Sequence, residues 1–567
     1  MSGDDAIPVT RRALIGGIGG GLAATTLAVT PVWAEDIAKY DQETDVIVCG
    51  GGPAGLATAL FSRWHGHEVT LLEKSGSVGG TAAKAAFWYW MPNNKPMRDK
   101  GLTDPKPDFL KLVARLTSPR TYSADAPRFG LSEWQHAMCS AFYDSASDAA
   151  ELLSAKGALP YRHVDNVPDY WKELPENKAP FGRVLVPDGI NEYLADGGRV
   201  ATRTMTQAAR RDGVEIKTSH RVQRVLLDLQ GRASGVEVLD ASGIVKRIRA
   251  RKAVVFATGG FTHDPELRSN FLSVPVFGGC AVQSNEGDLV RISSELGIKL
   301  RNMNNAWLAP ISLEKAIAKD GALSGIFAMS GDSMIIVNKD GRRVGNEKQP
   351  YNELGRSFAV WDGEQNEYAN LLQFIIWDQR AQDKCASPFF GSPIVPAGSD
   401  DSHVISGATL SELTSNIAKR LTAYRSETGV TLSSNFVANL ESAIARFNAF
   451  AKEGHDLDFH RGEKAIEKFV AGPPKETGQK NATMWPISDN GPYHAAILAA
   501  GTLDTKGGPQ CDPDGRMLNT EGQPIEGLYG VGNCVASVSG AAYWAGGGTI
   551  GPLLTFAYRA SNAIAST

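Results

Sequence analysis

A glycine-rich turn between an apolar segment and a helical segment constrains the fold of this chain more than any other feature. Residues 44–49 form a short apolar run with β-branched side chains, which predicts a buried parallel strand. The turn that follows has the spacing GxGxxG and contains Gly50, Gly52, Pro53, Ala54 and Gly55. Residues 56–65 then predict a helix, and residues 68–72 predict a second strand that leads to Glu73. This order predicts a strand–helix–strand unit and therefore an α/β fold.

The same turn predicts a dinucleotide-binding site. Gly50 allows a tight turn, Gly52 lets a pyrophosphate approach the backbone, and Gly55 lets the helix pack on the strand. The helix would present free N–H groups and a partial positive charge to the phosphates. Glu73, at the end of the second strand, is placed to accept hydrogen bonds from a ribose.

Three later segments indicate that the dinucleotide is FAD. They resemble, in chain order, the further cofactor contacts of FAD enzymes of the glutathione-reductase type. The residues concerned are Lys74, Gly79, Gly80 and Thr81 in the first segment, Thr258, Gly259 and Gly260 after the apolar run 253–258 in the second, and Asn533 after 527–532 in the third. The predicted fold class is therefore α/β, with a discontinuous Rossmann-like FAD-binding domain of that type.

Composition excludes several other classes of protein. The chain has 567 residues and a net charge of −4, so it has no basic surplus to neutralise nucleic-acid phosphates. Its 6 cysteines include no CxxC pair, which removes the usual ligand spacing of zinc, iron–sulfur and c-type haem sites. We therefore expect neither nucleic acid nor metal, and electrons would have to leave through an external acceptor such as a quinone.

Residues 1–34 predict a Tat signal peptide. Arg11 and Arg12 form a twin-arginine pair, and an uncharged segment rich in glycine and alanine follows, up to a small-residue cleavage pattern at residues 32–34. A membrane anchor is the alternative, but the many glycines make the segment weakly hydrophobic. No later stretch is long and apolar enough to span a membrane. We expect the protein to be exported, to the periplasm for example, without a stable membrane span after cleavage.

The sequence resembles the flavoprotein family of fumarate reductases and 3-ketosteroid dehydrogenases over residues 40–567. Four segments are most similar to the 3-ketosteroid 1-dehydrogenase branch: residues 79–92, with Trp90-Met91-Pro92; residues 446–462; residues 504–508, DTKGG; and residues 543–552, YWAGGGTIGP. The alanine at position 545 replaces a glycine of that branch, and His494 stands where an aromatic residue is common.

The resemblance implies a set of catalytic residues. Tyr543 and the backbone N–H of Gly547 would bind a 3-keto oxygen, Tyr351 would abstract a proton, and Tyr170 would assist that base. A second tyrosine beside the base and a nearby partial positive charge are expected to favour its ionised form. Thr549 and Ile550 would open a helix that faces the flavin, and Val222 is a further implied cofactor contact.

The resemblance also implies the reaction and its partners. We expect a hydrophobic ketone, most simply a steroid, to be desaturated at the 1,2-position by proton abstraction and hydride transfer to flavin. The alternatives are a 4-ene-forming ketosteroid dehydrogenase, an enone or enoate reductase of the same family, and an exported carrier protein without turnover. A dicarboxylate reductase is disfavoured because residues 543–547 lack the arginine that would clamp a carboxylate.

The chain is predicted to contain a split FAD-binding domain, residues 40–278 and 488–567. Residues 279–487 would form an inserted α+β capping domain, with a strand at 333–338 and helices at 411–428 and 434–454. The active site would lie where the two meet. Arg343 is interpreted as part of a surface hairpin turn. His494 is interpreted as a satisfied or exposed histidine rather than a base or a pocket donor.

Overall fold

The first βαβ unit lies at the centre of a mostly parallel sheet in the computed structural model, which describes residues 39–191, 196–389 and 391–567. The strand Gln42–Cys49 pairs in parallel with Val69–Glu73 on one side and with Val245–Phe256 on the other. This first sheet runs in the order Arg516–Leu518, Pro524–Gly530, Val245–Phe256, Gln42–Cys49, Val69–Glu73 and Glu215–Thr218. An antiparallel pair, Arg221–Leu227 and Ala233–Leu239, extends from it through Val245–Phe256.

Both faces of the first sheet are covered, as a parallel sheet requires. Val46 and Val48 point into a core that includes the helices Pro53–Trp64, Glu133–Ala155 and Ile550–Ala565. Ile47 and Cys49 point to the opposite side, into a core shared with the antiparallel pair and the helix Asp288–Glu295. The predicted α/β class with a parallel sheet is confirmed.

The middle of the chain forms a second sheet around one long strand, Tyr493–Thr505. The strands that pair directly with it are Gly278–Gly279, Ala306–Ser312, Leu372–Asp378 and Ile405–Gly407, and Met334–Val337 pairs with Leu372–Asp378 at the edge. One face packs on the helices Leu410–Ala423 and Phe436–Glu453, close to the ranges predicted for them. The predicted domain boundaries stay a prediction, because the described residues belong to a single compact unit.

The remaining elements are short strand pairs and helices. The other strands are Tyr89–Trp90, Tyr161–Val164, Val184–Pro187, Leu300–Arg301, Trp361–Asp362, Glu367–Tyr368 and Gly508–Pro509. The other α-helices are Lys95–Asp99, Lys106–Thr117, Gly197–Arg211, Pro265–Phe271, Leu313–Ile317, Tyr351–Arg356, Gln379–Cys385, Arg425–Thr428 and Ala465–Ala471. The 3₁₀ turns are Gly80–Lys84, Pro127–Gly130, Ser357–Ala359 and Gly532–Cys534.

The predicted Tat signal, residues 1–34, lies outside the part of the chain that the structure describes. Within the described ranges, none of the helices has the length and apolar character needed to cross a membrane. The same ranges contain no group of three or more His, Cys, Asp or Glu side chains that could hold a metal ion.

Candidate active site

A continuous cavity of about 1120 Å³ extends from the GxGxxG turn to the predicted catalytic tyrosines. Most of the residues predicted from the sequence line it. They are Gly50, Gly52, Pro53, Ala54, Glu73, Lys74, Gly80, Thr81, Val222, Thr258, Gly259, Asn533, Thr549 and Ile550 on the cofactor side, and Tyr170, Tyr351, Tyr543 and Gly547 at the other end. Gly55, Gly79 and Gly260 are not among the lining residues.

Each glycine of the GxGxxG turn is required at its position for a different structural reason. Gly50 has φ +108°, and a Cβ there would lie 2.4 Å from the carbonyl oxygen of Ala257. A Cβ on Gly55 would lie 1.9 Å from the carbonyl oxygen of Gly50, so the helix Pro53–Trp64 could not pack against the turn. A Cβ on Gly52 would meet no atom within 4 Å and would project into open space. Gly52 therefore leaves room for a ligand at the helix N-terminus, where no side chain caps the backbone.

Glu73 is fixed at the cavity wall by two backbone donors. Its carboxylate accepts hydrogen bonds from the N–H of Gly51 and of Ser75, each at 2.7 Å. A carboxylate has about four acceptor positions, so a ribose can still be bound. Lys74 beside it is paired with Asp288 at 2.7 Å and with Glu286 at 3.2 Å. The Lys74 charge is therefore largely neutralised within the protein.

The end of the long strand brings a second carboxylate to the cofactor wall. Asp504 is buried and accepts hydrogen bonds from the N–H of Gly260 at 3.0 Å and from the amides of Asn285 at 2.9 Å and Asn533 at 3.2 Å. Burial raises the pKa of Asp504, against the lowering effect of these donors. In the sequence, Asp504 is notable only as part of the DTKGG segment. Asn285 stands in no recognisable pattern and was not predicted.

Two hydroxyls on the same wall have no hydrogen-bond partner of good geometry among the described residues, although one lies near the Cys534 thiol and the other near the Tyr543 hydroxyl. They belong to Thr258 and Thr549, and both are buried. Thr549 directly precedes the helix Ile550–Ala565, whose predicted position is confirmed. Buried hydroxyls without a partner are costly, so these two groups fit a wall that faces a polar ligand.

Three tyrosines form a buried cluster at the far end of the cavity. The Tyr351 hydroxyl donates a hydrogen bond to the Tyr543 hydroxyl at 2.5 Å, and the ring centroids lie 5.1 Å apart. The Tyr170 ring stacks on Tyr543 at 5.9 Å and meets Tyr351 edge-on at 6.1 Å. We call Tyr170, Tyr351 and Tyr543 the tyrosine cluster. The fold thus brings Tyr170 and Tyr543, which are more than 370 positions apart in the chain, into ring contact.

Burial dominates the electrostatics of the tyrosine cluster. Burial raises the pKa of Tyr351 well above its ordinary value, and the neighbouring hydroxyls of Tyr170 and Tyr543 raise it further. Burial also raises the pKa of Tyr543. Because Tyr351 donates the hydrogen bond, this bond favours the ionised form of Tyr543 rather than that of Tyr351. The second tyrosine alone therefore does not favour an ionised Tyr351, and the expectation, which also invoked a nearby partial positive charge, stays a prediction.

Gly547 presents backbone rather than a side chain to the cavity. It has φ +89°, and a Cβ there would lie 2.8 Å from backbone atoms of Trp88 and Trp90. Its carbonyl oxygen accepts a hydrogen bond from the N–H of Trp90 at 3.1 Å. Within the described part of the chain its own N–H has no acceptor, so this donor is available to a ligand.

The tyrosine end of the cavity is apolar and lacks a guanidinium group. Its walls include Trp88, Val167, Phe327, Ile466 and Leu503. Arg221 is the one arginine among the described residues that line the cavity, and it pairs with Asp288 at 2.6 Å, on the Lys74 side. This composition suits an apolar ketone and does not provide the bidentate clamp that a dicarboxylate requires.

Arg343 and His494, two further residues considered in the sequence, lie outside the cavity lining. Arg343 was interpreted as a surface residue, which is wrong: its side chain is 5% exposed and pairs with Glu347 and Asp456, each at 2.9 Å. His494 is satisfied, as expected, because its ring nitrogens bond to Ser406 at 2.8 Å and to Gln379 at 2.9 Å. His494 does not line the cavity.

Comparison with known proteins identifies relatives over nearly the whole chain. The FAD binding domain family matches residues 45–550. The chain is 30% identical over 572 residues to the 4-oxocyclohexanecarboxylate 2-dehydrogenase of Sinomonas cyclohexanicum, which covers 92% of each protein. It is 29% identical over 588 residues to the 3-oxosteroid 1-dehydrogenase of Mycobacterium tuberculosis (strain H37Rv), covering 92% of this chain and 98% of that protein.

A solved structure shows the same fold. The 3-ketosteroid delta1-dehydrogenase from Sterolibacterium denitrificans, crystallised in complex with 1,4-androstadiene-3,17-dione, has a TM-score of 0.78 and 24% sequence identity. The match covers 93% of this chain and 100% of that one. The predicted FAD-binding architecture is thereby confirmed.

Proposed function

Because this chain belongs to the FAD binding domain family and is an FAD-dependent oxidoreductase, we propose that it forms a carbon–carbon double bond beside a ring ketone, specifically by 1,2-desaturation of a 3-ketosteroid. The observation that carries the proposal is the hydrogen bond between the hydroxyls of Tyr351 and Tyr543, at 2.5 Å, at the apolar end of the cofactor cavity. A hydroxyl pair in a dry aromatic site can hold a ketone oxygen and move a proton beside it.

The residues of the cavity fit FAD. The open space over Gly52, the uncapped helix start at Pro53 and the carboxylate of Glu73 would hold its pyrophosphate and ribose. The hydroxyls of Thr258 and Thr549 and the amide of Asn533 would hold polar groups nearer the flavin. When bound, FAD supplies a two-electron acceptor for hydride.

The protein's own part of the reaction is to polarise the ketone and remove a proton. The Tyr543 hydroxyl and the Gly547 N–H would donate to the ketone oxygen, which makes the adjacent C–H more acidic as enolate charge develops. Tyr351 would then take the proton from the carbon beside the ketone, with Tyr170 in ring contact behind it. The apolar walls exclude water, so each donor acts in a low dielectric.

One relative acts on a smaller ring ketone, and this supports a second substrate class. 4-Oxocyclohexanecarboxylate, named for the Sinomonas cyclohexanicum dehydrogenase, is a cyclohexanone that carries a carboxylate. The same tyrosine cluster could desaturate either ring, because both chemistries begin at a ketone. The apolar walls around the cluster favour the steroid over the carboxylate.

The proposed function also includes export of the protein and transfer of its electrons to an external acceptor. The predicted Tat signal at residues 1–34 supports export of the folded, cofactor-loaded protein. The absence of iron–sulfur and haem ligand spacing in the sequence supports an external acceptor, such as a quinone, for the electrons taken from the substrate.

Anaerobic bleaching of the flavin tests the function. We expect a 3-ketosteroid to bleach the wild-type protein and Tyr351→Phe to slow bleaching by about 10²- to 10⁴-fold with unchanged flavin content. Tyr368→Phe, outside the cavity, is the matched control. The panel should include 4-oxocyclohexanecarboxylate as a ketone, with fumarate offered to the reduced protein. Failure of every ketone to bleach the flavin, together with rapid reoxidation by fumarate, would overturn the proposal.

A further inference from the structure

The loop that carries Tyr543 is held by side chains from three other parts of the site. The carbonyl oxygen of Ala541 accepts a hydrogen bond from Arg356, and that of Ala542 accepts one from Lys506. The carbonyl oxygen of Tyr543 itself accepts a hydrogen bond from the indole N–H of Trp171 at 3.1 Å. Three consecutive carbonyls, at positions 541–543, are therefore each bound by a side-chain donor.

Each donor belongs to an element that already contributes to the cavity. Arg356 ends the helix Tyr351–Arg356, which begins with the proposed base. Trp171 directly follows Tyr170, and Lys506 comes two residues after Asp504 on the cofactor wall. The three donors thus connect the Tyr543 loop to both other members of the tyrosine cluster and to the end of the long strand.

Lys506 is the most unusual of the three. Its side chain is fully buried, and its Nζ lies 3.7 Å from the centroid of the Trp307 ring. The Trp307 ring meets Tyr543 edge-on at 5.2 Å. None of the acidic side chains in the described ranges lies within ion-pairing distance of Lys506. Burial lowers the pKa of Lys506 well below its ordinary value, so its amino group depends on neutral partners. Those partners are the carbonyl oxygen of Ala542, the hydroxyl of Ser539 at 3.4 Å and the Trp307 ring.

We propose that Lys506, Arg356 and Trp171 form a carbonyl clamp that positions the Tyr543 hydroxyl against Tyr351 and the ketone oxygen. This inference rests on the proposed function for its catalytic consequence, and on the contacts above for its geometry. The clamp residues are positioning residues, since none of them needs to touch the substrate. Misplacement of a catalytic group by about 1 Å can cost about 10²-fold in rate.

The test compares Lys506→Met, which keeps the aliphatic stem and removes the donor, with the wild-type protein. We expect bleaching by 4-androstene-3,17-dione to slow by about 10- to 100-fold, with flavin content unchanged. Thr117→Val is the matched control: it removes a buried hydrogen bond of 3.0 Å to Trp544, the residue after Tyr543, and leaves the clamp intact. The control should bleach at nearly the wild-type rate.

Ligand affinity separates positioning from general damage. A phenolic steroid such as estradiol resembles the enolate, because its oxygen lies on a planar ring, whereas 4-androstene-3,17-dione resembles the ground state. Lys506→Met should weaken binding of the phenol at least about tenfold and change ketone binding much less, because the oxyanion donors act on developing charge. Equal weakening of both ligands would overturn the clamp.

A crystal structure of Lys506→Met gives a readout that needs no turnover. The Tyr351 and Tyr543 hydroxyls should separate beyond hydrogen-bond distance, about 3.2 Å. If the two hydroxyls stay within hydrogen-bond distance in the variant, the clamp is refuted, even if ketones bleach the wild-type protein. If the hydroxyls separate but no ketone bleaches the wild-type protein, the proposed function is refuted and the clamp is not. If Lys506→Met fails to fold, Trp171→Phe removes the donor to Tyr543 with a smaller change, and the same outcomes apply.

Discussion

At the scale of single residues, the proposed chemistry depends on the hydroxyl groups of Tyr351 and Tyr543. Their 2.5 Å hydrogen bond lies in a site where burial and neighbouring tyrosines raise the pKa of Tyr351 well above its ordinary value near 10. A buried phenol is a poor base at neutral pH, since its ionised form is rarely populated. The ionised form of Tyr351 therefore becomes more populated as the pH rises towards its raised pKa.

We predict that substrate-dependent bleaching accelerates with pH. If Tyr351 must be ionised, its raised pKa means that log kcat/KM increases by about one per pH unit below that pKa. Stopped-flow measurements between about pH 6 and pH 10, at limiting ketone, would show the slope, and Tyr351→Phe would remove it. A plateau that starts near neutral pH would contradict this prediction.

The segment that leads into the helix Tyr351–Arg356 shows how one element is held. Glu347 is buried and pairs with Arg343 at 2.9 Å and with Arg461 at 3.2 Å. Arg343 also binds Asp456, and Arg461 donates to the carbonyl of Met334 at 2.7 Å. These contacts tie the start of the helix to the edge of the second sheet and to the loop at residues 456–461.

We predict that Glu347→Gln lowers the free energy of unfolding by about 3–5 kcal/mol, because it leaves two buried guanidinium groups with one carboxylate fewer. The pKa values of Glu347 and Asp456 are lowered by these partners, so their stabilisation is present at neutral pH and is lost as the pH falls through the lowered values. Urea unfolding at two pH values measures both effects. Glu463→Gln, at an exposed site, should change stability little, and a similar loss in both variants would count against the network.

Local and distant elements differ in how far the sequence predicts them. The turn at Gly50–Gly55 and its flanking strand and helix could be predicted because all the constraints lie within one short segment. The tyrosine cluster required family resemblance, since nothing local pairs Tyr170 with Tyr543. The surroundings of Arg343 and Lys506 could not be predicted from the sequence, because each has a partner in a separate segment, Asp456 for Arg343 and Ala542 for Lys506.

At the scale of the whole molecule, one cavity joins the two sheets. Its lining includes Gly50 from the first sheet's turn and Leu498 and Asp504 from the long strand of the second. A ligand that fills the cavity touches both sheets and stabilises the assembled state by mass action. FAD is therefore expected to contribute to stability as well as to chemistry.

We predict that removing FAD lowers the melting temperature and that adding it back restores it. The free energy of unfolding should increase by about 2.7 kcal/mol when FAD is present at about 100 times its Kd. Gly52→Val, whose side chain would fill the open space at the turn, should fold but lose this FAD-dependent shift. Gly76→Val, at another open glycine outside the cavity wall, is the control and should keep it. Thermal melts at several FAD concentrations measure the shift, and an unchanged shift in Gly52→Val would place the phosphates elsewhere.

The long strand Tyr493–Thr505 has a consequence for recombination between relatives. It supplies the central pairing partner of the second sheet, and its last residues bind the N–H groups of Gly260 and Phe261. A chimera that exchanges the middle of this chain for that of a homologue would take all paired strands of the second sheet from one parent only if the crossover falls after Thr505. The second sheet and the cofactor wall would thus be inherited together, and we expect new substrate ranges to arise by substitutions within that segment.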